Sequence, residues 1–172
     1  PFAEMELDLP GEDEEREMYY DTKRILAASG YERYEISNYA KKGFICRHNV
    51  GYWTGKEYLG FGVAAASFHQ GIRKCNQLSV EDYIENGHRF EENIMLTKEE
   101  QMSEFFFVGL RMIKGVSERQ FQGKFGVSSD EIFGEIIKKH IETGLLAREN
   151  GYISLTDKGL DVSNYVLCDF IL

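Results

Sequence analysis

The sequence lacks several features that would assign it to a class of protein at once. It contains no run of about 18 apolar residues, so we expect no membrane span. It has no surplus of basic residues, since its formal net charge is −9, and we therefore expect no nucleic-acid partner. No signal peptide is visible, although a fragment could not show one, and because the chain starts at Pro1 without a Met we expect a fragment or a processed chain.

Cysteine is also scarce, and its spacing excludes a local metal-binding motif. The three cysteines, Cys46, Cys75 and Cys168, are odd in number and far apart, and no CxxC occurs. This pattern predicts reduced thiols and a cytoplasmic location. It gives no support to a cluster site held by closely spaced cysteines.

The single Trp of the chain marks the most informative stretch, Arg47-His48-Asn49-Val50-Gly51-Tyr52-Trp53. A histidine next to large aromatic side chains suits a planar, metal-bearing macrocycle, because imidazole binds iron and aromatic rings pack against the macrocycle. On spacing alone, ordinary packing is the other interpretation, since Tyr and Trp are usually packing residues.

The same stretch carries a family resemblance. His48-Asn49-x-x-Tyr52-Trp53 resembles the HNxxYW motif of the HemW heme chaperones, and Gly30-Tyr31-x-x-Tyr34-Glu35-Ile36-Ser37-Asn38-Tyr39-Ala40 resembles an upstream segment of the same proteins. Further similar segments follow in order: Tyr58–Gly62, Leu96–Met102, Gly144–Leu146 and Leu155–Gly159. The resemblance is to the C-terminal part of a radical S-adenosylmethionine (SAM) family that is closely related to oxygen-independent coproporphyrinogen III oxidase, HemN.

The resemblance implies a heme site and assigns its residues. His48 would be the axial iron ligand, Asn49 would orient it or shape its loop, and Tyr52 and Trp53 would form an apolar wall. Cys46 is a second candidate ligand, although a lone Cys is usually a small buried hydrophobe. In HemN-type proteins the residue equivalent to Ala40 lines the SAM site.

Cofactors and partners follow from the same resemblance. The full-length protein would bind SAM and a [4Fe-4S] cluster, but the CxxxCxxC motif that holds the cluster is absent from this sequence. We therefore expect no cluster ligand and no catalytic residue in this chain. Heme would be the cargo, and the acceptor would be a hemoprotein at a membrane surface, with peripheral membrane contact left open.

Two other functions stay open. One is the oxidase itself, which decarboxylates the propionates of coproporphyrinogen III by a SAM-derived radical in porphyrin biosynthesis. The other is an interaction module without a ligand. A homodimer is also conceivable, because a partial barrel exposes apolar edges.

The predicted fold is α+β with three parts. Residues 1–77 would be the end of a radical SAM barrel with an HNxxYW loop, residues 78–96 a bridging helix and linker, and residues 97–172 a winged-helix-like domain. In the first part we expect a helix capped by Asp13, a strand over 31–36 and a buried strand over 58–68 that continues into a hairpin through His69-Gln70-Gly71.

The C-terminal part has the clearest local signals. Three capping patterns, Thr97-x-x-Glu100, Ser117-x-x-Gln120 and Ser128-x-x-Glu131, each precede an apolar-periodic helix, and the first of these helices should be the central one. A hairpin around Asn150-Gly151 follows. His69, His88 and His140 should lie at the surface, and Ser79 should begin a short helix with Ile84 facing inward.

Overall fold

A computed structural model describes residues 9–87 and 89–172, so the expectations for residues 1–8 and for His88 lie outside the described residues. The chain forms two compact units, of which the first ends at Ile45 and the second spans Cys46–Leu172. Helices and small antiparallel sheets alternate, which confirms the α+β class. Among the described residues, no helix has the length and apolar character that crossing a bilayer requires. The predicted boundaries after residues 77 and 96 stay predictions.

The first unit consists of a helix followed by a very short hairpin. Helix α1 spans Glu12–Ala28, and strands β1 (Glu32–Arg33) and β2 (Tyr39–Ala40) pair antiparallel. The predicted cap Asp13 is wrong, because the helix begins after Gly11, whose amide donates to the Glu14 carboxylate at 3.0 Å.

The predicted strand over 31–36 is too long, because the chain turns sharply at Glu35. This carboxylate is fully buried and accepts hydrogen bonds from the Ser37 amide at 2.9 Å and from Asn38 Nδ2 at 2.5 Å. A side chain that bonds its own following backbone offers an alternative to strand pairing. Ala40 consequently lies inside a return strand rather than at the end of a barrel strand.

A three-stranded antiparallel sheet begins the second unit after the short helix α2 (Arg47–Trp53). Its strands are β3 (Ala66–His69), β4 (Ile72–Asn76) and β5 (Phe90–Met95), in that spatial order. Positive φ values at Gln70 and Gly71, +51° and +74°, form the tight turn between β3 and β4, which confirms the predicted hairpin. His69 is exposed as predicted, and its Nδ1 lies 2.7 Å from Glu57 Oε2.

One strand prediction beside this sheet is wrong. The buried strand predicted over 58–68 begins only at Ala66; Tyr58 forms an isolated bridge with Phe68, and Phe61 is 86% exposed. The linker predicted before residue 97 contains β5, all six of whose residues are exposed. A strand without a buried face lacks the alternation that identifies strands in a sequence.

Helix α3 (Val80–Asn86) lies between β4 and β5 and begins as predicted. The Ser79 hydroxyl accepts a hydrogen bond from the Asp82 amide at 3.0 Å. The inward position predicted for Ile84 is wrong, since this side chain is 76% exposed.

The remaining chain has the element order of a winged helix, as predicted. Thr97 and Ser128 form reciprocal capping boxes with Glu100 and Glu131, and Ser117 caps the helix between them. The sheet order is β6-β8-β7, with β7 and β8 joined through Asn150-Gly151. The elements are α4 (Lys98–Gly109), β6 (Val116–Ser117), α5 (Glu118–Phe125), α6 (Ser129–Glu142), β7 (Leu146–Glu149), β8 (Tyr152–Leu155), α7 (Asp157–Asp161) and α8 (Ser163–Cys168).

Phenylalanine rings form the core of the winged helix, with α4 at its centre as predicted. Phe106 is fully buried and stacks on Phe170 with ring centroids 4.8 Å apart. Phe121 and Phe133 approach the same ring at 5.4 Å and 4.9 Å. Such aromatic pairs stabilise a core beyond the area that they bury.

The surface position predicted for His140 is wrong, since this side chain is fully buried. Its Nε2 lies 2.9 Å from Asp169 Oδ2, and Lys139 Nζ lies 2.7 Å from the same oxygen. Lys139 first, and His140 to a smaller extent, hold the pKa of Asp169 below its usual value. The sequence Lys138-Lys139-His140 is polar and therefore suggested a surface position. The C-terminal segment, which contacts His140 through Asp169, covers this histidine in the fold.

Replacing Phe106 tests the proposed centre of the core. We expect Phe106→Ala to lower the free energy of unfolding by about 3–5 kcal/mol, because it removes a fully buried ring and leaves a cavity. The neighbouring Phe107 is 38% exposed, so Phe107→Ala should cost less than about 1 kcal/mol. Urea unfolding of both variants measures the difference, and equal losses would contradict this description of the core.

Candidate functional site

The HNxxYW segment is a helix, so the loop predicted for it is wrong. It is α2, with Cys46 as its N-cap residue and Thr54 as its C-cap. Residues four apart lie on one side of a helix, whereas neighbouring residues are turned by about 100°. His48 and Tyr52 therefore share one side, and Trp53 points to another.

Three rings form an edge-to-face series on the His48 side, which we call the ring cluster: His48, Tyr52 and Tyr58. The centroids of His48 and Tyr52 lie 4.7 Å apart at 81°, and those of Tyr52 and Tyr58 lie 4.6 Å apart at 76°. His48 is exposed, and no other described residue forms a hydrogen bond with its ring nitrogens. An imidazole held by ring contacts with its nitrogens accessible can bind a metal from solvent.

An open hollow of about 190 Å³ lies beside the ring cluster. The ring cluster lines it together with Arg47, Gly51, Lys56 and Glu57. These residues fit a planar macrocycle that rests on aromatic rings and takes one axial nitrogen ligand.

The other candidates around His48 are placed less favourably. Asn49 is half-buried, and no hydrogen bond joins it to His48 among the described residues. Cys46 is an exposed free thiol rather than a buried hydrophobe. It precedes His48 by two positions, and side chains with this spacing on a helix do not face each other. Both residues therefore stay predictions as contributors to an iron site.

Trp53 lies on a different side of α2 from His48 and packs against α4. The Arg111 guanidinium lies 4.5 Å from the indole centroid, and the buried Nε1 of Trp53 has no hydrogen-bond partner among the described residues. Trp53 lines a cavity of about 340 Å³, to which the ring cluster contributes Tyr52 and Tyr58 but not His48. Tyr52 and Trp53 thus line this cavity together, whereas Tyr52 but not Trp53 also lines the hollow beside His48.

The cavity is aromatic inside and carries charged groups in its lining. Phe68, Phe105 and Val108 add apolar surface, and the charged lining residues are Lys56, Arg73, Glu104 and Lys124. Arg73 and Glu104 neutralise each other through a 2.6 Å ion pair. Burial raises the pKa of the Tyr58 phenol, so this side chain stays a neutral hydrogen-bond donor at ordinary pH.

The residue expected to contact SAM, Ala40, and the three cysteines lie outside the ring cluster. Ala40 lies in the first compact unit as a buried residue of β2. No three His, Cys, Asp or Glu side chains of the described residues come together as a metal site, and all three cysteines are free thiols. These residues do not fit a [4Fe-4S] cluster, so we derive no step through one.

Sequence reasoning missed several residues that shape the site. Tyr58 belonged to a motif but was assigned to a buried strand, and Lys56, Lys124 and Arg111 were not singled out. These side chains reach the site from different elements, and no local pattern marks them.

A known family model matches the C-terminal part of the chain. Residues 96–162 match the HemN C-terminal domain. This part of the chain is similar to that domain.

Two curated relatives extend the match over nearly the whole chain. The chain is 38% identical to the heme chaperone HemW of Lactococcus lactis over 96% of its own length and 44% of that protein. It is 37% identical to HemW of Bacillus subtilis over 96% of its length and 45% of that protein. The resemblance predicted from the motifs is confirmed, and the chain spans less than half the length of these relatives.

A solved structure shows the same fold. Coproporphyrinogen III oxidase (HemN) from Escherichia coli, described as a radical SAM enzyme, superposes with a TM-score of 0.76 over 97% of this chain and 43% of its own. The identity is 18%, so this likeness concerns the fold alone.

Close packing of α4 on β6 behind the cavity gives a prediction about Gly109. A Cβ at this position would lie 2.4 Å from Val116 Cγ1, so Gly109→Ala should displace β6 and cost about 1–3 kcal/mol of unfolding free energy. Gly123 also lies in a helix, but a Cβ there meets no atom within 4 Å. Gly123→Ala should therefore be neutral or stabilising by up to about 1 kcal/mol. Urea unfolding compares the two, and a harmless Gly109→Ala would contradict the close packing.

Proposed function

We propose that this chain supplies the heme contact of a heme chaperone and that His48 is the axial ligand of the heme iron. The proposal is supported by the names of the HemW relatives and, above all, by one observation on this chain. His48 presents an exposed imidazole, without a hydrogen-bond partner among the described residues, at the end of an aromatic ring cluster.

The open geometry of the site is suited to a heme that is bound and later released to an acceptor. A neutral imidazole nitrogen donates its electron pair to the iron, while the Tyr52 ring edge restricts rotation of the imidazole. The macrocycle would rest on the Tyr52 and Tyr58 rings in an open hollow. A site open to solvent exposes the other side of the heme to an acceptor, as delivery to a hemoprotein requires.

The longer protein would add the remaining parts. We place SAM and the [4Fe-4S] cluster in the part of the family that this chain does not match, with Ala40 as the one expected SAM contact here. The three free thiols support a reducing compartment such as the cytoplasm. The acceptor would be a hemoprotein, for which contact at a membrane surface is a proposal.

The oxidase is the alternative function. It is supported by the fold likeness to HemN, but none of the side chains described above favours decarboxylation over heme binding. An interaction module without a ligand is the other alternative, under which His48 would be replaceable without consequence.

A heme titration followed by absorbance tests the proposal. The unmodified chain should give a saturable spectrum of histidine-ligated heme. His48→Ala should weaken binding at least about tenfold and lose that spectrum, because coordination to iron is the strongest contact at an otherwise open site. Added imidazole should restore the ligated spectrum by replacing the missing side chain.

His69→Ala is the matched control, since His69 is the other exposed histidine among the described residues. It should bind heme as the unmodified chain does. Equal spectra for the unmodified chain and His48→Ala would remove His48 from the site, and a spectrum lost only in Cys46→Ala would assign the ligand to that thiol.

A further inference from the structure

His48 does not line the 340 Å³ cavity behind the ring cluster, so an iron ligated by His48 would lie outside this cavity. It is lined by Trp53, Tyr58 and Phe105, and it shares Tyr52, Lys56 and Tyr58 with the hollow beside His48. The two spaces therefore lie on either side of the contact between Tyr52 and Tyr58. The hollow beside His48 and the cavity are therefore adjacent through these shared residues.

The charge of the cavity is opposite to that of the chain as a whole. The chain carries a formal net charge of −9, whereas the charged residues that line the cavity are three cations and one anion. Glu104 is paired with Arg73, which leaves Lys56 and Lys124 as the unbalanced charges. Within the described ranges, neither lysine has a carboxylate at ion-pair distance.

Lys124 is held near the cavity by weaker contacts. Its ammonium lies 5.2 Å from the centre of the Phe125 ring. It also contributes slightly to the low pKa of Glu57, which the Gln70 amide and then the His69 side chain mainly lower. An exposed lysine with such contacts can turn towards an anion without breaking an ion pair.

We propose that this cavity binds one edge of a tetrapyrrole that carries carboxylates, with Lys56 and Lys124 pairing with those carboxylates. A volume near the lower end of the roughly 300–1,000 Å³ typical of ligand sites accommodates an edge of the macrocycle rather than all of it. The inference rests on the proposed function for the nature of the cargo. It goes beyond that function because the contact requires no iron.

Quenching of Trp53 fluorescence tests the inference, since Trp53 is the single Trp of the chain and lines the cavity. The probe is iron-free protoporphyrin IX, which cannot be ligated by His48. We expect saturable quenching for the unmodified chain. A double variant, Lys56→Gln with Lys124→Gln, should bind about three- to tenfold more weakly, as expected for two solvent-exposed ion pairs.

Two controls separate charge from general effects. Lys138 is an exposed lysine of α6 that does not line the cavity, so Lys138→Gln should leave the affinity unchanged. Protoporphyrin IX dimethyl ester, measured at the same detergent concentration, lacks the free carboxylates and should bind the unmodified chain and the double variant equally. Val108→Phe adds volume inside the cavity and should weaken binding of both ligands, with folding checked by its unfolding midpoint.

The outcomes distinguish this inference from the proposed function. Heme binding that depends on His48, together with no binding of iron-free porphyrin, would overturn the cavity site and leave the axial ligand intact. Porphyrin affinity that falls in the lysine variant, together with heme spectra indifferent to His48, would support the cavity and overturn the axial ligand. Equal porphyrin affinity in the unmodified chain and the lysine variant would remove the lysines and overturn the inference.

Discussion

The packing of Trp53 against α4 determines where the rest of the site lies. Arg111 covers the indole at 4.5 Å, and a Cβ at Gly109 would come within 3.7 Å of the Trp53 carbonyl oxygen. With Trp53 fixed on this side, the helical repeat turns His48 and Tyr52 to another side of α2. The winged helix thus holds α2, and with it His48, in place through α4. This supporting role does not involve nucleic acid.

This division of the HNxxYW segment changes how its residues are understood. A linear motif suggests that all its members meet one ligand face, but Tyr52 is the one member of this motif that borders both the hollow and the cavity. Lys56 and Tyr58, which follow α2, also border both spaces. His48 would contribute coordination, and Trp53 would contribute apolar surface and a fluorescence signal. The two contributions are separable by substitution, because iron is needed for only one of them.

Much of the fold could be predicted because its signals are local. Capping residues such as Thr97 and Ser128 satisfy backbone groups within their own first turn, and Gln70-Gly71 adopts the positive φ values that a tight hairpin requires. The errors arose where distant contacts decide the outcome. His140 is buried by a segment some 30 residues away, β5 exposes both faces, and Glu35 ends a strand through its own side chain. The candidate site residues His48 and Tyr52 were predicted from one motif, whereas tertiary structure alone brings Lys124 to the cavity.

A crystal structure of this chain with bound heme would test the central claim most directly. We expect iron coordinated by a ring nitrogen of His48, the macrocycle resting on Tyr52 and Tyr58, and one edge directed towards Trp53 with its carboxylates near Lys56 and Lys124. Iron bound to Cys46 or His69, or a macrocycle that contacts neither the hollow nor the cavity, would contradict it.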